Sequence, residues 1–200
     1  DSTTLASNTI RRIDYDDGYL WIGDGNITYP LNRFDISTGK NKRFKAQRGV
    51  AGKLQGSISS RIIATDDRVY FGTNAGFEFY EKSTQRFHFI PLVNELQDTI
   101  FYSPSICQTK DGKIWMSLPK GGLRVYDPLT NRAEIFPITT VDGKSNPPLV
   151  DMVEDHDGNL WLSSLTELWS LSADRKYLQQ HHNLYLLILR ETTELNGDFL

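Results

Sequence analysis

The sequence predicts an all-β chain made of four consecutive four-stranded antiparallel repeats, followed by a short tail. Three observations predict it. A marker aromatic recurs at Trp21, Tyr70, Trp115 and Trp161, with spacings of 49, 45 and 46 residues. Each marker lies in a kindred segment: DDGYLWIG at 16–23, DDRVYFG at 66–72, DGKIWMS at 111–117 and DGNLWLS at 157–163. The apolar runs around the markers are short and rich in Ile, Val, Phe, Tyr and Trp, a strand composition rather than a helical one. Gly and Pro recur through the first 158 residues, which starves the long helices of a helical solenoid. Four strands in every 45 to 49 residues is the period of a β-propeller blade.

Each strand of the repeat has its own signal. An apolar residue stands eight positions before each marker, at Ile13, Ile62, Cys107 and Val153. These predict innermost strands over 10–14, 59–64, 105–108 and 150–154. Asp-Gly then marks a tight hairpin turn at Asp17-Gly18, Asp111-Gly112 and Asp157-Gly158, because Gly accepts the positive φ such a turn needs. The second unit has Asp67-Arg68 there, so a longer or strained turn is expected. The marker strand follows, and then third strands at 31–35, 77–81, 123–127 and 168–172. Ser37-Thr38-Gly39, Asp127-Pro128 and Ser172-Ala173-Asp174 mark the next turns. Short runs at 42–45, 86–89, 134–136 and 176–178 close the units. The blades are expected over about 8–48, 57–92, 104–138 and 149–180. Residues 181–200 fall outside the repeat. Their apolar run at 184–189 is expected to be an extra strand rather than a helix, since it has no polar face. Blades bury both faces against neighbours, so an array of four is expected to self-associate through its end blades or to continue into further blades.

Composition narrows the function classes. Lys plus Arg total 22 against 25 Asp plus Glu, a net charge of −3, which argues against a phosphate-backbone binder. The longest apolar run, six residues, is far short of the roughly 20 that span a bilayer. The single cysteine, Cys107, excludes an intrachain disulfide and a cysteine-rich zinc site, and it is expected in the core. His88, His156, His181 and His182 have no carboxylates at ligand spacing around them, so no metal or cofactor is expected. Asp155 to Asn159 has the look of a calcium loop, but it falls at the hairpin turn of its siblings and lacks the distant Glu. No G-x-S-x-G, H-E-x-x-H or paired catalytic acids outside turns occur, so no enzyme is expected. A propeller lyase would need a histidine on an innermost strand, and none falls there.

The unit "apolar strand, D-G-x-L-W-I-G, then G-L-x-x-Y/F-D-x-x-T, then a short aromatic strand" resembles the two-component regulator propeller repeat. The segments nearest to it are DGKIWMSLPKGGLRVYDPLT at 111–130 and DDGYLWIGDGNITYPLNRFDISTG at 16–39. The likeness runs over about residues 8 to 180. Pro30 and Glu167 stand where the repeat has Gly, and its Gly-Thr after the marker survives only as Gly72-Thr73. The resemblance implies a periplasmic or otherwise extracytoplasmic sensor part of a bacterial hybrid histidine kinase, one that detects glycan fragments. It also implies membrane attachment only through a longer protein, and no nucleic-acid partner. The alternative is an interaction scaffold without a small ligand.

Binding on a propeller is expected at the loops of one mouth. Here those are the second-to-third and fourth-to-first strand connections. The candidates in the first group are Asp24, Asn26, Tyr29, Asn74 and Lys120; those in the second include Arg48, Lys53, Gln55, Tyr102, Asp142, Lys144 and Asn146. Tyr and Asn with mixed charge suit an oligosaccharide. The sharpest candidates are Arg12 and Arg61. They occupy the same place, nine residues before the marker, on the innermost strands of neighbouring blades. They form either salt bridges to an acid such as Asp14 or Glu154, or a paired guanidinium clamp for a carboxylate or sulfate.

Overall fold

The computed structural model describes residues 4–92, 104–118, 122–137, 149–164 and 166–181. The described residues form sixteen strands in four sheets. The first sheet is β1 (Ile10–Asp16), β2 (Tyr19–Asp24), β3 (Leu31–Asp35) and β4 (Asn41–Phe44). The second is β5 (Ile58–Ala64), β6 (Arg68–Thr73), β7 (Gly76–Glu81) and β8 (Arg86–Ile90). The third is β9 (Ser105–Gln108), β10 (Ile114–Leu118), β11 (Gly122–Asp127) and β12 (Arg132–Phe136). The fourth is β13 (Asp151–Glu154), β14 (Leu160–Ser163), β15 (Leu168–Leu171) and β16 (Leu178–His181). Each sheet is an antiparallel meander in sequence order. The first strands β1, β5, β9 and β13 neighbour one another in turn, so the sheets fan out around them as propeller blades. The tail at 184–189 lies outside the described residues.

Packing explains the repeat. Trp21, Leu31 and Phe44 of the first sheet pack against Ile62, Phe71 and Tyr80 of the second. Tyr70, Phe77 and Phe79 on the other face of the second sheet meet Ile106, Met116 and Tyr126 of the third. Trp115, Leu123 and Cys107 of the third sheet meet Leu160, Leu162 and Trp169 of the fourth. Each marker therefore fills the wedge toward the next blade. Trp21, Tyr70 and Trp115 are 1, 2 and 3 % exposed. Trp161, whose wedge has no next blade among the described residues, is half-buried and stacks on His181 of its own sheet at 4.9 Å.

Side chains also staple blade to blade. Lys82 reaches back to Asp16 at 2.6 Å, and Asp14 accepts the Ala64 N–H at 2.7 Å. Arg68 donates to the Tyr126 hydroxyl at 3.1 Å, and Glu154 accepts the Lys110 N–H at 2.7 Å.

The hairpin turns use two designs. Asp17 and Gly18 both have positive φ (40° and 83°), the signature of a primed two-residue turn. In the β9–β10 and β13–β14 turns only Gly112 and Gly158 are left-handed, and the turn is one residue longer. The second unit differs from expectation. Its Asp66-Asp67 loop is short, closed by Thr65 N–H to Arg68 O at 2.8 Å, and holds no left-handed residue. The Thr65 hydroxyl, 3.1 Å from Arg68 O, supplies the closure that glycine gives elsewhere. The outer turns place Gly39, Gln85, Asn131 and Arg175 at matching left-handed positions.

Candidate functional site

The innermost strands begin at the mouth formed by the β2–β3 and fourth-to-first strand connections. There they enclose a cavity of about 450 Å³, walled by Arg12, Ser59, Arg61, Pro104, Ser105 and Asp151 among others. Arg12 comes from β1 and Arg61 from β5, adjacent strands. Both are exposed, and among the described residues neither is ion-paired. The salt bridges expected for them do not form, for a reason the packing supplies. Asp14 is committed to the Ala64 N–H, and Glu154 to Arg175 at 3.0 Å and the Lys110 N–H. Arg12 donates to the Arg11 carbonyl at 2.7 Å, which anchors one edge of its guanidinium. Across the cavity Ser105 Oγ donates to Asp151 Oδ1 at 2.8 Å. Two arginines and one aspartate line the cavity, so its wall carries a surplus of positive charge. Burial pushes the Cys107 thiol up, and a hydrogen bond with the Glu154 backbone and then the Arg61 cation pull it partly back.

The loop candidates are placed differently. Asp24 is buried and its carboxylate is used internally: it accepts the Ala6 N–H at 3.1 Å, the Ser7 N–H at 3.2 Å, the Ser7 hydroxyl and Asn32 Nδ2. It straps the chain entering the first blade onto that sheet. Asn26 closes its own loop, its Oδ1 accepting the Thr28 and Tyr29 N–H groups at 2.8 and 3.0 Å. Tyr29 is half-buried beside it. Asn74 Oδ1 accepts the Ser57 N–H at 2.9 Å, and the Gln55 amide braces Gly49, Val50 and Lys53. These side chains build the mouth, and the arginines line its cavity. Lys120, Tyr102, Asp142, Lys144 and Asn146 lie outside the described residues.

A second cavity, of about 430 Å³, lies between the third and fourth sheets at the opposite mouth. Its wall includes Trp115, Glu134, Glu154 and Arg175. Sequence reasoning missed it by favouring the other mouth. One signal was legible: Thr109 stands where Asp155 stands in the fourth unit. The Asp155 loop is a hairpin, as expected. Its carboxylate accepts Trp161 Nε1–H at 2.8 Å and Asn159 Nδ2 at 3.0 Å, which hold it down to about 2.

No family model matches the chain, and no curated protein matches it in sequence. Solved structures do match in shape. The extracellular domain of a hybrid two-component system from B. thetaiotaomicron aligns at TM-score 0.68 and 18 % identity, over 90 % of this chain and 25 % of that one. A second extracellular domain from that organism, of a one-component system, aligns at TM-score 0.65 and 22 % identity, over 88 % and 22 %. PorZ, a surface component of the type-IX secretion system of Porphyromonas gingivalis, aligns at TM-score 0.66 and 14 % identity, over 90 % and 28 %. The chain thus spans about a quarter of each. At these identities the likeness is one of fold.

Proposed function

We propose that the chain is the ligand-binding propeller part of an extracytoplasmic sensor, and that its inner-strand mouth takes an acidic oligosaccharide. One observation carries the reading: Arg12 and Arg61, from adjacent strands, wall the same cavity without an acid partner among the described residues. An exposed arginine pair on a rigid strand scaffold is pre-organised for a carboxylate or sulfate, which guanidinium meets through two parallel hydrogen bonds. The shared fold with extracellular domains of two-component systems supports the sensor role. Binding rather than turnover fits a wall of arginine, serine and one carboxylate.

Calorimetric titration tests it, with a sulfated or uronate-containing disaccharide set against its neutral counterpart. The anionic sugar binds and the neutral one does not. Arg61→Ala weakens binding by about 30-fold or more, the range for losing one side of a hydrogen-bonded charge pair, and leaves the melting temperature unchanged. Equal affinity for both sugars, or an Arg61→Ala protein that binds normally, overturns the reading.

The scaffold alternative draws on a different observation. Ile13 and Tyr15 on β1 are 57 and 63 % exposed, an apolar stripe suited to a protein partner. A Tyr15→Lys substitution that abolishes assembly with a partner, with sugar binding intact, would favour it.

A further inference from the structure

The groove between the third and fourth sheets differs chemically from the arginine-lined cavity. In the first sheet Trp21 Nε1–H donates to Asp16 Oδ2 at 2.9 Å, and in the fourth Trp161 Nε1–H donates to Asp155 Oδ2 at 2.8 Å. Thr109 holds that place in the third. The backbone fixes the equivalence. Thr109 N–H bonds Lys113 O at 3.0 Å and Thr109 O accepts the Gly112 N–H at 2.8 Å; Asp155 makes the same two bonds with Asn159 and Gly158, at 2.9 and 3.2 Å. Threonine is shorter than aspartate by one heavy atom. Its hydroxyl donates toward Asp111 Oδ1 at 2.6 Å and Lys113 O at 3.2 Å, and its shorter reach makes no bond to the indole. Trp115 Nε1 is consequently buried with no acceptor, a standing cost to the fold that an oxygen in the right place would remove.

Trp115 forms part of the wall of the 430 Å³ cavity. The charges around it balance: Lys110, Lys113 and Arg175 against Asp111, Glu134 and Glu154. Arg175 pairs with Glu154 at 3.0 Å and Lys113 with Asp111 at 3.4 Å. Val125 and Phe136 supply an apolar patch. A balanced wall gives no advantage to an ion. It suits a neutral ring whose hydroxyls donate to carboxylates and accept from N–H groups while its C–H face lies on apolar carbon.

We propose that this groove binds a neutral hydroxylated ring of monosaccharide size. One oxygen of the ring accepts the Trp115 indole N–H, in the place that an aspartate carboxylate holds in the first and fourth blades. The Arg175 guanidinium carbon lies 5.1 Å over the Trp115 ring, so ligand entry involves a displacement of that side chain. The site lies at the mouth opposite the arginine pair and takes an uncharged ligand, so it stands or falls independently of the reading above.

The indole N–H signals of the full chain test it. Four tryptophans give four signals, and Trp115→Phe identifies the one in question. Methyl α-glucopyranoside, methyl β-galactopyranoside and N-acetylglucosamine are titrated to high millimolar concentration. At least one moves the Trp115 signal saturably, and equally in Arg61→Ala. In Thr109→Asp the variant carboxylate takes the N–H, the signal moves toward that of Trp161, and the sugar-induced shift is lost. If none of the three sugars moves the signal, the groove holds water only and the proposal is overturned. It is equally overturned if Thr109→Asp keeps the full sugar response.

Discussion

A buried carboxylate with no cation beside it has to be held by N–H and O–H groups, and Glu78 on β7 is held that way. Its Oε2 accepts the Gln55 N–H at 2.8 Å and its Oε1 the Thr73 hydroxyl at 2.7 Å. These bonds pin the loop between the first two blades, but they do not offset the loss of water. Burial pushes Glu78 up to about 7. The sign follows from linkage. The folded state binds this proton more tightly than the unfolded state, so Glu78 favours folding most below its ordinary value of 4.5. That contribution is lost as pH rises from there to about 7, by roughly 3 kcal/mol at most. Melting temperatures should therefore fall between pH 5 and 7.5 in the wild-type chain, read by circular dichroism at about constant ionic strength. Glu78→Gln should flatten that profile. Its amide oxygen can face the Gln55 N–H and its NH₂ the Thr73 hydroxyl, which reverses to accept. A Glu78→Gln profile as steep as the wild type would place the titration elsewhere.

At the scale of the element, two glycines separate turn strain from close approach. Gly112 sits in the β9–β10 turn at φ +81°, with open space where a Cβ would go. Gly112→Ala should cost only the left-handed strain, about 1–2 kcal/mol. Gly72 on β6 has an ordinary φ, but a Cβ there would lie 2.5 Å from Pro104 O and 2.6 Å from Ser60 Oγ. Gly72→Ala should therefore cost more, because two blades have to separate; denaturant melts of both variants give the order, and the reverse order would refute the close contact. The strands were legible because marker, Asp-Gly and apolar run recur in register, and a period repeated four times leaves little freedom. The Asp66-Asp67 turn was not, since a threonine hydroxyl replaces a glycine φ and leaves no composition signal. The arginines could be placed on innermost strands from their spacing to the marker. Their missing partners could not, because that depends on Asp14 and Glu154 being claimed across the blade interface by Ala64 and Lys110. The Trp115 groove left one trace in the sequence, Thr109 where the fourth unit has Asp155, but only the folded hairpin shows that this position faces the indole.

At the scale of the whole molecule, the three internal interfaces define what a blade face requires. Each seats a marker aromatic of one sheet on the next: Trp21 lies 5.3 Å from Tyr80, and Tyr70 lies 6.1 Å from Tyr126. The fourth sheet presents its marker face outward, with Trp161 half-buried and its strand partner Val153 51 % exposed. The first sheet presents the opposite kind of face, where Ile13 and Tyr15 stand exposed beside half-buried Phe34, the counterpart of Tyr80. The two faces are complementary in the sense that the internal interfaces define, a plug and its seat. A contact of that kind is heterologous, so it joins chain to chain head to tail rather than as a symmetric pair. The 200-residue chain is therefore expected to associate in solution, with a sedimentation-derived mass that rises above 22.8 kDa as concentration increases. Val153→Lys on one face, or Ile13→Lys on the other, should each return it to a monomer, and mixing the two variants should restore a dimer because each retains one intact face. A wild-type chain that stays monomeric at every concentration, with Trp161 fluorescence that Val153→Lys leaves unchanged, would show that these faces are covered from within the same chain.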